Sequence, residues 1–375
     1  MTGLGLVTAL GASRVTTWAA LLAGQSALAA QQPFADLPAR PLALVGRTPT
    51  GLLNLLQPAV REAVEDAGLA PPLPDCGVVI GSSRSFQGVL EASAQAWLRQ
   101  HHLLDRHDWL NALPSQPAIA TAQQIGATGP LLAPMAACAT GLWAVFQGAE
   151  LIRRGQCDRV LVGAAEAPIT PLTLTGFEQL GALAPQGCYP FSEQRQGLAL
   201  GEGAAVLMLE SEHSVRQRSG VKPYGRILAA GLRADAYHIT APAPDQGASR
   251  SALIACLQRS GLHSSAIDYV HAHGTGTRLN DGHEAKLVST LLPHQPPLSS
   301  TMGATGHTLG ASGAIGVSFC CLALRHQQLP PNTGLHGNSI YPALVGVAQS
   351  VPVRTTLCLG FGFGGQNAAL AIGQP

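Results

Sequence analysis

Ala136-Ala137-Cys138-Ala139-Thr140-Gly141 leads into a helical pattern that runs to Arg154, and Arg159-Val160-Leu161-Val162-Gly163 follows as an apolar, β-branched run. A helix succeeded within a few residues by a continuously apolar strand marks a sheet buried under helices. The same alternation recurs outward in both directions. Cys76 to Gly81, Ala204 to Glu210, Tyr269 to Ala272 and Thr355 to Gly360 read as further buried strands. Ser249 to Ser260, Gly282 to Leu292 and Ala311 to Arg325 read as helices. Strands alternating with helices imply an α/β layered fold.

The 375 residues suffice for two fused units of ordinary size. Hydrophobic residues make up 46% and charged residues 11%, which fits extensive burial and argues against disorder. The formal net charge is +1, with no basic run suited to nucleic acid or a membrane surface. Eight cysteines are scattered without a CxxC pair, which argues against a metal site and against a disulfide scaffold. Cytoplasmic residence is the simplest expectation. Trp18 to Ala30 imitates the end of a signal peptide. However, no Lys or Arg precedes the first apolar stretch, and Arg14 interrupts it. Thr308 to Leu324 is apolar but carries three glycines and is short for a membrane span, so a buried core helix is expected.

Three short segments hold the candidate chemistry. Cys138 stands just ahead of a helix, where backbone N–H groups and the helix dipole favour a thiolate. An inert buried cysteine is the plainer alternative. His273 ends the strand-like run Tyr269-Val270-His271-Ala272, and strand ends are where α/β sheets bind ligands. His307 follows Gly306 ahead of a helix, a position that keeps an imidazole neutral and able to donate to an oxyanion. Each histidine taken alone also suits a structural role. Thr275 and Thr277 either bind a polar arm or cap a turn. Gly360-Phe361-Gly362-Phe363-Gly364-Gly365-Gln366-Asn367 lacks the pattern of a phosphate cradle. It reads as a movable hydrophobic gate or as an ordinary flexible turn. One thiol and two imidazoles in glycine-rich settings point to carbon–sulfur chemistry rather than metal binding.

Taken together and in order, these segments resemble the β-ketoacyl-acyl carrier protein synthases, the condensing enzymes of fatty acid and polyketide assembly. The resemblance runs nearly end to end. It includes Thr2-Gly3-Leu4-Gly5-Leu6-Val7, Tyr189-Pro190-Phe191-Ser192, Gly201-Glu202-Gly203-Ala204 and Asp235-Ala236-Tyr237-His238. By this resemblance Trp18 to Ala30 is the family's first helix rather than a signal peptide. The resemblance implies a thiolase fold, with two similar halves at 1–212 and 213–375 forming a five-layer α-β-α-β-α core. It also implies a dimer, with an interface along the strand near Arg159 to Gly163. Cys138 would be the nucleophile that accepts the acyl chain, and His273 and His307 would assist decarboxylation and condensation. The backbone N–H groups of Cys138 and Phe363 would form the oxyanion hole. Phe363 would gate acyl entry, and Thr275 and Thr277 would contact phosphopantetheine. No cofactor is implied beyond the phosphopantetheine of an acyl carrier protein.

Two departures stand out. Ser300-Thr301-Met302 occupies the place of the family's Ser-Thr-Lys, and Gly316 stands where elongating members carry a Glu. Both members of a Lys/Glu pair beside the histidines are therefore missing. Losing both leaves no stranded charge, so the fold is expected to survive while an electrostatic element of catalysis is lost. The resemblance thus leaves two functions in play. One is an active ketosynthase, and the other is a chain-length-factor-like partner of an active one, in type II polyketide or aryl polyene assembly. A thiolase is a distant third, because its C-terminal catalytic cysteine has no counterpart between Gly360 and Asn367.

Overall fold

The computed structural model describes residues 1–100 and 106–375. Two five-stranded sheets carry the fold. The first runs in the order Gly3–Thr8, Gly203–Glu210, Arg159–Glu166, Cys76–Gly81, Leu131–Leu132. The second runs Arg226–Ala234, Gln366–Gly373, Thr355–Gly362, Tyr269–His271, Leu298–Ser299. Read this way, each sheet has two antiparallel pairings followed by two parallel ones. The first sheet closes at Glu210 and the second begins at Arg226, so one pattern is built twice along the chain.

The expected five layers are present. Helices Leu52–Asp66 and Gln116–Ile125 cover the outer face of the first sheet. Helix Gly247–Ser260 covers the outer face of the second, and helix Arg278–Leu291 adds to the same core. Helices Thr140–Arg153 and Ser312–His326 lie between the sheets and contribute to a core shared by both halves. The Ser312–His326 helix is buried from Gly313 to Leu324. A helix that is apolar all round belongs in an interior, so the membrane-length apolar stretch is a core element.

Glycine sets how closely the central helices approach. A Cβ on Gly141 would lie 2.3 Å from the Ala314 nitrogen, and one on Gly313 would lie 2.8 Å from the Leu142 nitrogen. The two helices therefore meet backbone to backbone at their N-terminal ends. Cys138 and His307 sit just before those two ends, so this contact brings them together.

Three sequence expectations change. The first helix is Arg14–Leu22, capped by the Ser13 side chain, and Ala29–Gln31 is a strand, so Trp18 to Ala30 is only half helical. The strand read as Thr355 to Gly360 extends to Gly362, and the glycine-rich segment narrows to a hairpin turn before strand resumes at Gln366. The Arg159–Glu166 strand lies inside its sheet, paired on both sides, so it cannot pair with a second chain. Among the described residues, the free edge at that end of the sheet is Leu131–Leu132, each residue 39% exposed.

Candidate active site

Cys138 lies in the turn before the Thr140–Arg153 helix. Thr140 shapes that turn: its hydroxyl accepts from the Ala136 N–H at 2.8 Å and donates to the Ala137 carbonyl at 2.7 Å. Ala137 is forced to a φ of 46°, a conformation alanine seldom adopts. Such local strain is characteristic of sites where a side chain must be presented at a fixed angle.

His273 follows the Tyr269–His271 strand in a loop held by two buried carboxylates. Glu284 accepts from the N–H groups of His273 at 2.7 Å and Gly274 at 2.8 Å. Asp281 accepts from the N–H groups of Phe191 at 2.8 Å and Gly276 at 3.2 Å. A third buried carboxylate, Glu166, accepts from both Ser82 and Ser83 hydroxyls and from the N–H groups of Ser83, Arg84 and Gly310. It thereby ties the segment after His307 to the first sheet. Burial raises the pKa of all three, to about 8 for Glu284 and about 6 for Asp281.

The three sequence-nominated side chains converge. Cys138 Sγ and a ring nitrogen from each of His273 and His307 all lie within 4.8 Å of one another. The imidazoles meet edge to face, with centroids 5.2 Å apart. His307 Nδ1 is 3.0 Å from Ser312 Oγ, leaving Nε2 as its free face. Burial pushes the His307 pKa down to about 3. His273 is also held well below the ordinary range, by burial and then by the neighbouring His307 and His271. Both rings are therefore neutral, as a helix-terminal position suggested for His307.

Cys138 departs from expectation. Burial, and then the Glu166 carboxylate, push its pKa up to about 12, so the residue rests as a thiol. The N–H groups of Phe363 and of Cys138 itself, and the Arg84 charge, act in the opposite direction but do not prevail. A helix terminus stabilises a thiolate by about 0.3–1 kcal/mol, which a fully desolvated site outweighs.

A cavity of about 370 Å³ opens onto Cys138, His273 and His307. Thr275, Thr277 and Phe363 line it, and the two threonine hydroxyls are 2.9 Å apart. Phe363 sits in the hairpin turn and stacks on Phe177 at 5.9 Å. Behind the imidazoles the lining changes. Met302 is buried against Cys188, Ala199 and Leu28. Gly316 backs onto a third buried imidazole: a Cβ there would come within 2.8 Å of His271 Nδ1. Among the described residues that nitrogen has no hydrogen-bond partner, while Nε2 lies 3.3 Å from Thr301 Oγ1.

Sequence reasoning missed Glu166, Asp281, Glu284, Ser312 and His271. In a chain with 11% charged residues, an acid closing the apolar run Ala164-Ala165-Glu166 is a usable signal. So are Asp281 and Glu284, three apart at the start of a helix directly after the histidine loop.

Known proteins resemble this chain along its whole length. The model of the β-ketoacyl synthase N-terminal domain matches residues 51–214, and that of the C-terminal domain matches residues 224–336. The chain is 32% identical to the ketoacyl synthase alpha subunit of the tetracenomycin polyketide synthase of Streptomyces glaucescens, covering 100% of this chain and 96% of that protein. It is 34% identical to 3-oxoacyl-[acyl-carrier-protein] synthase 2 of Staphylococcus aureus, covering 68% of this chain and 67% of the relative. Among solved structures, it matches a chain of a type II polyketide ketosynthase in complex with its acyl-carrier protein and bound to a hexaketide. The TM-score is 0.93 at 26% identity, covering 100% of this chain and 98% of that one. A ketosynthase in complex with its chain length factor from Xenorhabdus doucetiae matches with a TM-score of 0.88 at 26% identity, covering 100% and 97%. The fold is that of the condensing enzymes, and the chain belongs to the β-ketoacyl synthase family.

Proposed function

We propose that this member of the β-ketoacyl synthase family takes an acyl group from a carrier-protein thioester onto Cys138 and condenses it with a malonyl unit. The observation that carries this reading is the meeting of Cys138, His273 and His307 at one apolar cavity. Because Cys138 rests as a thiol, its proton must leave as sulfur attacks the thioester carbonyl. The neutral imidazoles are the acceptors within reach. The carbonyl oxygen gains negative charge and is received by the N–H groups of Cys138 and Phe363. Such a donor is typically worth about 3–4 kcal/mol. The abstracted proton then passes to the departing pantetheine thiolate, which balances the exchange.

The malonyl thioester enters next. Loss of carbon dioxide leaves an electron pair on its α-carbon, and the thioester oxygen takes up charge as an enolate. Two neutral imidazoles can donate hydrogen bonds to that oxygen. The carbon attacks the acyl group on Cys138, the sulfur leaves as thiolate, and a proton from solvent restores the thiol. Phe363 swings from Phe177 to admit the acyl chain, while Thr275 and Thr277 meet the pantetheine arm. No cofactor beyond that arm is required, and cytoplasmic residence belongs to the same reading.

A second reading rests on Met302 and Gly316, which put no charged side chain at those two positions. In this reading the chain is a helper subunit that pairs with a ketosynthase charged at both. In either case the partner meets the unpaired Leu131–Leu132 edge, beside which Met135 is 56% exposed. The segment from there leads directly to Cys138, so a subunit docked on it borders the site. Malonyl-carrier-protein decarboxylation by the isolated chain, with native mass spectrometry of the same sample, separates the readings. A homodimer that condenses at ordinary enzyme rates, about 1–10³ per second, removes the helper reading. An inactive chain that gains activity with a co-expressed ketosynthase removes autonomous catalysis. A monomer at micromolar concentration removes both assemblies.

A further inference from the structure

The sequence argues against a metal site because no two cysteines stand in a ligand spacing. The structure gathers donors that the sequence keeps far apart. Among the described residues, Cys138, His273 and His307 form a group of possible ligands whose donor atoms all lie within 4.8 Å of one another. Around a tetrahedral zinc ion with bonds of about 2.0–2.3 Å, neighbouring donors stand roughly 3.3–3.6 Å apart. Modest side-chain rotation closes that difference. His307 Nδ1 is anchored on Ser312 Oγ at 3.0 Å, an outer-sphere bond of the kind that aims the other nitrogen at a metal. The cavity leaves the fourth position open to a water molecule. Thiolate and imidazole together suit zinc and cobalt better than magnesium or calcium.

We propose that these three side chains also form a reversible zinc site, in which the metal caps the nucleophile and blocks acyl entry. Binding replaces the Cys138 S–H bond with a sulfur–zinc bond and releases one proton to solvent, with no change of oxidation state. Binding itself does not depend on the acyl-transfer reading; only the inhibition does.

The test uses the full chain, cobalt chloride and zinc chloride. One equivalent of cobalt should produce a thiolate-to-cobalt charge-transfer band, which zinc abolishes. Calorimetry in two buffers of different ionisation heat should give about one proton released per zinc. Cys138→Ser should lose the band and bind zinc at least tenfold more weakly. Ser312→Ala should weaken binding by about 10–100-fold. Alkylation of Cys138 in the wild-type chain should block the site, which keeps the test decisive if a variant misfolds. A zinc affinity unchanged by both Cys138→Ser and alkylation overturns the proposal, as does cobalt binding without the charge-transfer band. Acyl transfer that zinc does not slow also overturns the inhibitory role. A chain that binds zinc at Cys138 but never accepts an acyl group would instead overturn the acyl-transfer reading and leave the metal site standing.

Discussion

The cavity side and the interior side of the imidazole pair are built in opposite ways. On the cavity side, Thr140 holds the turn carrying Cys138, and buried carboxylates with several hydrogen-bond donors each hold the loop carrying His273 and the segment after His307. On the interior side, Met302 packs in an apolar cluster, and His271 presents an unpartnered nitrogen to Gly316. The cavity side holds Cys138, His273 and His307 within 4.8 Å of one another. The interior side is packed with uncharged side chains at Met302 and Gly316, which leaves no stranded ion at those positions.

The strongest way to break this comparison is at the nucleophile. Cys138→Ala should abolish acyl-enzyme formation while leaving the fold intact, because a serine- or alanine-sized group fills nearly the same space. Loss of a nucleophile typically costs catalysis many thousandfold, and single-turnover acyl transfer checks it. Next is the interior side. Met302→Lys places an ammonium beside His271, His273 and Thr305, where no carboxylate faces it among the described residues, and should cost roughly 3–5 kcal/mol in denaturant unfolding. If Met302→Lys were neutral, an unrecognised anion would have to lie behind the histidines.

The carboxylates of the cavity side give a pH signature. The fold holds Glu284 protonated up to about pH 8, against an ordinary value of 4.5. The stability it contributes is complete below 4.5 and is lost as pH rises through 8. The imidazoles behave in the reverse sense. His271 and His307 are pushed down to about 4 and about 3 from 6.5, so their contribution is complete above 6.5 and is lost as pH falls through those values. Stability should therefore decline on both sides of near-neutral pH. Glu284→Gln should flatten the alkaline side in chemical denaturation, while lowering stability overall by about 1–3 kcal/mol because a carboxamide cannot accept from both N–H groups.

Two smaller effects sharpen the contrast. Gly316→Ala should cost about 1–3 kcal/mol through overpacking against the His271 ring. Combining it with His271→Ala should recover part of that loss, so additive losses in the double-mutant cycle would contradict the contact. Phe363→Ala removes a stack on Phe177 worth about 0.5–1.5 kcal/mol. It should change acyl-loading rates more than stability.

Much of this was legible in the sequence, for physical reasons. The strands at Cys76–Gly81 and Thr355–Gly362 are buried on both faces and so read as apolar runs. Arg226–Ala234 and Gln366–Gly373 escaped notice because alanine, glycine and polar residues dilute their pattern. Cys138, His273 and His307 stood out because tight turns surround them with glycine and other small residues. Their supports did not, because Glu166 and Glu284 bond largely to backbone N–H groups, which leave no mark in side-chain identity. The Leu131–Leu132 edge is too short to show a period. The Cys138 thiol was misjudged because a helix terminus is visible in sequence and desolvation is not.

The most direct test of the account is to incubate the chain briefly with an acyl-pantetheine thioester and map the adduct by peptide mass spectrometry. Cys157 is the half-buried competitor, open to generic alkylating agents, whereas Cys138 is buried but faces the cavity and both imidazoles. The account predicts one acyl group, on Cys138. Acylation of Cys157 in its place, or no acylation of a correctly folded chain, would contradict it.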